Sequence, residues 1–299
     1  GEEYTDNLNL TNTDREYEYI TSISPGLVID ISGRSAGAIL SYNPSYNDYS
    51  RFSEHDDWEH SASVEVWADL SRRTRLTLGD EFELTDDPVT EDDVTVRRSR
   101  AQYYTNTASA ELAHQFGIED SLNLHFEHRI RENDDPTIAD NEYYNPSVTL
   151  TYWVIPNSFG TETGISYTRG EIEGEDDFDL YEGNIRLIKR LSRFIDVFIN
   201  YDHTVMDYDG TTTDYQIYDP SAGFTYTWDE NASFSLDVGH YFQDRETGED
   251  ESGVSIEVDI SKTWTTRRGS IGLTGTSGYE ETYFGSENLG FTKFYEVSF

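Results

Sequence analysis

The chain has 299 residues with 59 acidic against 21 basic side chains, a formal net charge of -38, which excludes the basic footprint that nucleic-acid binding requires. Only 35% of the residues are hydrophobic, yet 22 Tyr, 15 Phe and 5 Trp argue against disorder and for surfaces that are half apolar and half wet. There is no cysteine, so disulfides and thiolate metal sites are excluded, and no run approaches the roughly 20 apolar residues of a membrane helix.

The opening Gly1-Glu2-Glu3-Tyr4 reads as a mature or trimmed terminus, with residues 4–10 as the top of a first strand. From residue 27 onward, apolar and polar residues alternate with period two, the mark of strands with one apolar face. The apolar rows run Leu27, Ile29, Ile31; Ala38, Leu40, Tyr42; Ala62, Val64, Val66, Ala68, Leu70; and Leu76, Leu78, Phe82. Next come Ala108, Ala110, Leu112; Leu122, Leu124, Phe126; Val148, Leu150, Tyr152; and, after Pro156-Asn157-Ser158, Phe159, Ile165 and Tyr167. The second half continues with Ile185, Leu187; Ile195, Val197, Ile199; Ala222, Phe224, Tyr226; Phe234, Leu236, Val238; and Val254, Ile256, Val258, Ile260. Ile271 and Leu273, then Phe291, Tyr295, Val297 and Phe299, close the series, and no segment keeps a helical period.

The connections alternate in length. Short ones lie at 32–35, 71–74, 117–120, 156–158, 189–193, 229–231 and 265–269. Between them stand long polar loops such as "TDDPVTEDDVTVRRS", "RENDDPTIADNE", "GEIEGEDDFD" and "QDRETGEDESG". This rhythm is that of a transmembrane β-barrel, because lipid can touch an apolar sheet face only where every backbone group is paired and the sheet closes. The expected fold is all-β: one transmembrane up-and-down antiparallel β-barrel domain over residues 1–299, of at least 16 strands. Short periplasmic turns and long acidic extracellular loops connect the strands. Tyr42, Trp58, Tyr152, Trp153, Tyr167, Trp228, Trp264 and Tyr279 sit near strand ends, where interface girdles form.

If the apolar teeth face lipid, the polar teeth face a lumen, and that register is acidic. It carries Glu59, Glu65, Asp69, Glu81, Glu83, Glu111, Glu127, Glu162, Glu182, Asp196, Asp202, Asp219, Asp237, Glu257 and Asp259, with Asp30 and Glu296 beside them. Arg129 and Arg186 are the clearly inward bases, so the lumen is expected to prefer cations. Trp67, Phe194, Phe198 and Tyr241 share the register as candidate stacking platforms for sugars. Basic residues gather in short turns: Arg72, Arg73, Arg75; Lys189, Arg190, Arg193; Arg267, Arg268.

Signs of catalysis are sparse. Most histidines fall on the apolar register; His125 points inward between Asn123 and Glu127 as an isolated acid–base candidate. The G-x-S-x-G and H-E-x-x-H patterns are absent, and no enzyme is expected. "DYDGTTTD", with Asp207, Asp209 and Asp214, resembles the start of a calcium loop but lacks the closing Glu. A hairpin turn explains it better. Loop-bound Ca2+ or Mg2+ is the one ion reading left, and no cofactor is expected.

The stretches "EEYTDNLNLT", "ISPGLVIDIS", "LSRRTRLTLGDEF", "RRSRAQYYTNTASAELAHQFG", "NPSVTLTYW" and "SGYEETYFGSENLGFTKFYE" resemble a family of bacterial outer-membrane β-barrel proteins, porin-like barrels often encoded beside exopolysaccharide synthesis and export genes. The resemblance implies the outer membrane of a Gram-negative bacterium. It also implies transport or polysaccharide export. "FYEVSF" looks like the terminal signal read by the barrel-assembly machinery. The expected partners are therefore outer-membrane lipid, lipopolysaccharide, that machinery, and small solutes or polysaccharide. The reading is a pore for small solutes. An accessory barrel for exopolysaccharide export and a structural or adhesive barrel with a closed lumen are the alternatives.

Overall fold

The computed structural model describes residues 1–6, 16–86, 101–266, 269–282 and 290–298. Its described residues form an all-β chain with one short 3-10 turn at Ser53–His55. In chain order the strands are β1 (Glu2–Thr5), β2 (Glu18–Ile23), β3 (Leu27–Ser32), β4 (Ala36–Tyr49), β5 (Asp57–Ser71) and β6 (Thr74–Thr85). There follow β7 (Tyr103–Gln115), β8 (Ser121–Asn133), β9 (Asn141–Ile155), β10 (Phe159–Ile172), β11 (Phe178–Ser192) and β12 (Ile195–Tyr208). The last are β13 (Tyr215–Asp229), β14 (Ala232–Arg245), β15 (Glu251–Thr266), β16 (Gly269–Thr282) and β17 (Gly290–Ser298). Residues 87–100 of the loop expected from residue 85 to 100, together with Arg267, Arg268 and Phe299, lie outside the described residues.

Two compact units can be distinguished, one comprising Gly1–His114, Leu124–Pro146 and Arg169–Asp177, the other Gln115–Asn123, Ser147–Thr168 and Phe178–Phe299. Within the first, β4, β5, β6 and β7 pair antiparallel in sequence order. Both β2 and β3 pair with β4, through Ile20↔Tyr49 and Ile29↔Leu40 respectively. They share one position in the meander, interrupted at Ser24-Pro25-Gly26, where proline cannot donate to the ladder. Of the strand expected at 4–10, residues 7–10 lie outside the described residues; the structure has β1 at Glu2–Thr5 and adds β2, which the alternation does not predict, paired to β1 through Tyr4↔Tyr19. Within the second unit, β11 to β17 follow one another antiparallel.

The short turns are built by local chemistry. At 71–74, Ser71 Oγ donates to Thr74 Oγ1 at 2.9 Å and accepts from the Arg73 N–H at 3.1 Å. At 156–158, Asn157 adopts φ 56, the left-handed conformation that asparagine tolerates better than most residues.

The registers confirm the two-faced pleat. Ala62↔Phe82, Val66↔Leu78 and Ala68↔Leu76 set apolar beside apolar, as do Ile199↔Ala222 and Leu236↔Val258. This face stays uncovered: Leu70 is 61% exposed, Ile165 64% and Ile199 57%. A sandwich would bury such rows against a second sheet. Lipid is the medium that covers them without one. Toward the long-loop end of β4 and β5, Tyr42, His60, Trp58 and Tyr46 form a ladder with successive ring centroids 6.0, 6.2 and 5.2 Å apart. Amphipathic rings gather there as they do at a membrane interface.

Candidate functional site

In the first unit the polar face begins with Glu59, Glu65 and Asp69 on β5. Pleat and register place Glu81 and Glu83 of β6 on that face through Ser63↔Glu81 and Ser61↔Glu83. Glu111 of β7 joins it through Thr77, the partner that it shares with Trp67. Asp30 of β3 follows through Ile39, which pairs with Glu65. Asp69 accepts from Arg75 Nε at 2.8 Å, and Glu59 accepts from Thr85 Oγ1 at 2.7 Å. On β8, Glu127 stands 4.0 Å from His125 Nε2, with both side chains about two-fifths exposed (44% and 40%).

The second unit carries a denser strip. Asp202 of β12 lies directly across from Asp219 of β13, and Asp237 of β14 across from Glu257 of β15. Asp259 is two residues further along the same face. Like charges in opposed positions destabilise a sheet, yet here the donors beside them are neutral. Ser255 Oγ donates to Asp219 at 3.0 Å, Ser221 Oγ to Asp237 at 3.0 Å, and Asn200 Nδ2 to Asp202. Ser166 Oγ donates to Glu182 at 2.7 Å, and Glu162 shares Ser166's face of β10 by alternation. Hydroxyl and amide donors fix these carboxylates in place. A hollow of about 290 Å³ is lined in part by Ser166, Glu182, Asn184 and Asp202. Asp196, nearer the short turns, lies 3.4 Å from Arg190 Nε.

The platform residues are less available than their register implied. Tyr241 is 6% exposed and Phe198 5%. The Arg186 guanidinium lies 3.5 Å from the Phe198 ring centroid, Arg75 4.7 Å from Trp67 and Arg193 4.4 Å from Phe194. Glycines on the neighbouring strands make room for two of these rings. A Cβ at Gly37 would meet Trp67 Nε1 at 2.7 Å, and one at Gly223 would meet the Phe198 ring at 2.5 Å. Each guanidinium holds a cation–π contact, so the rings are partly occupied.

An apolar cluster was missed by the sequence reading. Leu180, Met206, Tyr215, Ile217 and Tyr241 are all buried, on the polar register at the long-loop ends of β11 to β14, with Phe178 and Tyr208 against them. Leu180↔Met206 and Met206↔Tyr215 are cross-strand partners. The available signal was apolar residues on both faces, as in Tyr215-Gln216-Ile217-Tyr218. In the first unit the same register at the loop end buries Tyr103 and Arg131, whose guanidinium lies 5.2 Å from the Tyr103 ring centroid.

For the calcium-like loop, Asp214 Oδ1 accepts the Tyr208 N–H at 2.7 Å, the use of a turn-closing aspartate. Asp207 pairs with Asp179 one step before the end of the ladder at Phe178↔Tyr208, and Asp209 follows beyond β12. No three His, Cys, Asp or Glu side chains are grouped as a metal site among the described residues.

Comparison with known proteins adds two findings. Residues 1–134 match the family model described as "Putative beta-barrel porin 2". Among solved structures, the chain is similar to OmpT (in-vitro folded), an outer membrane protein of Vibrio cholerae, at 10% identity over 88% of this chain and 87% of that one, with a TM-score of 0.42. Curated protein sequences give no match. The first 134 residues are thus similar to a porin-like family, and the uncovered apolar face and antiparallel meander are those of an outer-membrane β-barrel.

Proposed function

We propose that the chain, as one β-barrel domain, forms a pore that passes small solutes and prefers cations. The carrying observation is the row of carboxylates gathered on the polar face of each unit and held mainly by hydroxyl and amide donors. Low-dielectric walls focus the field of such a row and concentrate counter-ions near it. Screening over roughly 8 Å at physiological salt weakens the effect in a wide lumen but not beside the wall. Outer-membrane lipid surrounds the apolar face in this reading. Lipopolysaccharide meets the acidic loops through divalent ions, and the barrel-assembly machinery inserts the chain.

Export of exopolysaccharide would use inward aromatic rings as stacking platforms. Burial of Tyr241 and Phe198, and guanidinium groups over Trp67, Phe194 and Phe198, favour the solute pore instead. The closed structural barrel draws its support from the apolar cluster around Met206. Single-channel recording of the refolded chain in a planar bilayer separates the three. Discrete, salt-dependent conductance steps are expected. A protein that inserts and never conducts would overturn the pore reading.

A further inference from the structure

The short-turn end carries cations that its own acids do not neutralise. In the first unit, Arg34 in turn 32–35 and Arg72 in turn 71–74 are exposed. Among the described residues their guanidinium groups have no ion-pair or hydrogen-bond partner. The two turns are neighbours, joined by the Asp69 N–H, which donates to the Ser35 carbonyl at 2.7 Å. Two strand spacings, roughly 10 Å, separate them. In the second unit, Arg193 is exposed in the turn between β11 and β12. The acids that interrupt the basic turns are occupied by that unit itself. Glu119 accepts from Arg190 Nη1 at 3.0 Å, and Asp229 from Lys262 Nζ at 2.8 Å. Asp120 accepts the Trp153 N–H at 2.7 Å. Glu230, exposed, is the acid left without such a partner among the described residues of these turns.

We infer that these arginines bind the phosphates of anionic phospholipids in the periplasmic leaflet. The inference rests on the outer-membrane placement, with the short turns on the periplasmic side, and is independent of what the pore conducts. Depth is set by the apolar rows, whose last members Ile31 and Leu70 are largely exposed. Arg34 follows Ile31 by three residues and Arg72 follows Leu70 by two, so both stand just past the acyl region, at headgroup level. An arginine stem lies along apolar surface while its charged head reaches the interface. The planar guanidinium fork matches two phosphate oxygens at once. A zwitterionic headgroup brings its own ammonium to compete for that phosphate, whereas phosphatidylglycerol leaves it to the arginines. The loops at the other end are acidic, so the chain offers this preference at one rim.

The absence of cysteine makes the test clean. Leu70→Cys at the turn end and Val254→Cys at the loop end, both on the exposed apolar face, are introduced singly into the full chain and labelled with a fluorophore. Each is reconstituted in bilayers holding a minor fraction of spin-labelled phosphatidylglycerol or, in parallel, spin-labelled phosphatidylcholine. The quencher occupies both leaflets, so the direction of insertion does not affect the result. Phosphatidylglycerol should quench the label at Leu70→Cys more than phosphatidylcholine does, and the label at Val254→Cys no more. Adding Arg34→Gln with Arg72→Gln should lower the relative association constant for phosphatidylglycerol about fivefold, the size of one basic contact with an anionic surface. Arg34→Lys with Arg72→Lys should retain part of the preference. Heat-shifted gel migration verifies folding of each variant. Raising salt should reduce the preference with both arginines intact, which decides the matter if the glutamine variant misfolds. Equal quenching by the two lipids at Leu70→Cys, equal preference at both label positions, or a folded glutamine variant with undiminished preference would each overturn the inference.

Discussion

Glu18 is fully buried where β2 emerges on the long-loop side, past the apolar rows. Its carboxylate accepts the N–H groups of Tyr19 at 2.7 Å, Arg51 at 3.1 Å and Phe52 at 3.0 Å, and Ser50 Oγ at 2.7 Å. Burial pulls this carboxyl upward, but those four donors outweigh it and hold it below the ordinary glutamate range. A depressed carboxyl adds stability above its unfolded value and loses it as pH falls through the folded one. The loop at 50–56 should therefore resist protease at neutral pH and open only in acid, below the range where an ordinary glutamate titrates. Glu18→Ala should open it at neutral pH, because unpaired buried donors cost about 1–3 kcal/mol. Equal nicking of both proteins at pH 7 would contradict the clamp. Nothing in the sequence announced Glu18, since three of its four donors lie more than thirty residues away on a loop.

At the level of elements, period two was legible because slipping one residue exchanges the faces. Val64 and Glu65 cannot trade places without putting a charge in lipid, nor Ile199 and Asn200 without putting an amide there. What the alternation could not show was depth along the strand. Leu180, Met206 and Ile217 fall on the register that also carries Glu182, Asp202 and Asp219, and only the structure shows them packed together. Met206, 0% exposed, anchors that cluster. Met206→Ala should cost about 2–5 kcal/mol, read as a lower temperature for loss of heat-shifted gel migration, with β-sheet circular dichroism retained. An unchanged transition would mean that the cluster is not packed. Sidedness belongs to the same scale. Thr247→Cys, in the 246–250 loop, should react with a membrane-impermeant maleimide on intact cells, and Arg72→Cys in a short turn should not. The reverse pattern would invert the topology.

For the whole molecule, a chain with 35% hydrophobic residues keeps its apolar surface outside and its charge on the other face, an arrangement that folds only against lipid or detergent. Cooperative folding in plain buffer would contradict it. Selectivity follows from the same inversion, since the carboxylates excluded from the lipid face accumulate on the other. The reversal potential in a potassium chloride gradient across a planar bilayer tests this most directly. It should lie on the cation side and move toward zero as salt rises. Replacing Glu65, Glu81 and Glu127 by Gln should reduce it more than neutralising loop acids does. A reversal potential on the anion side would contradict the account.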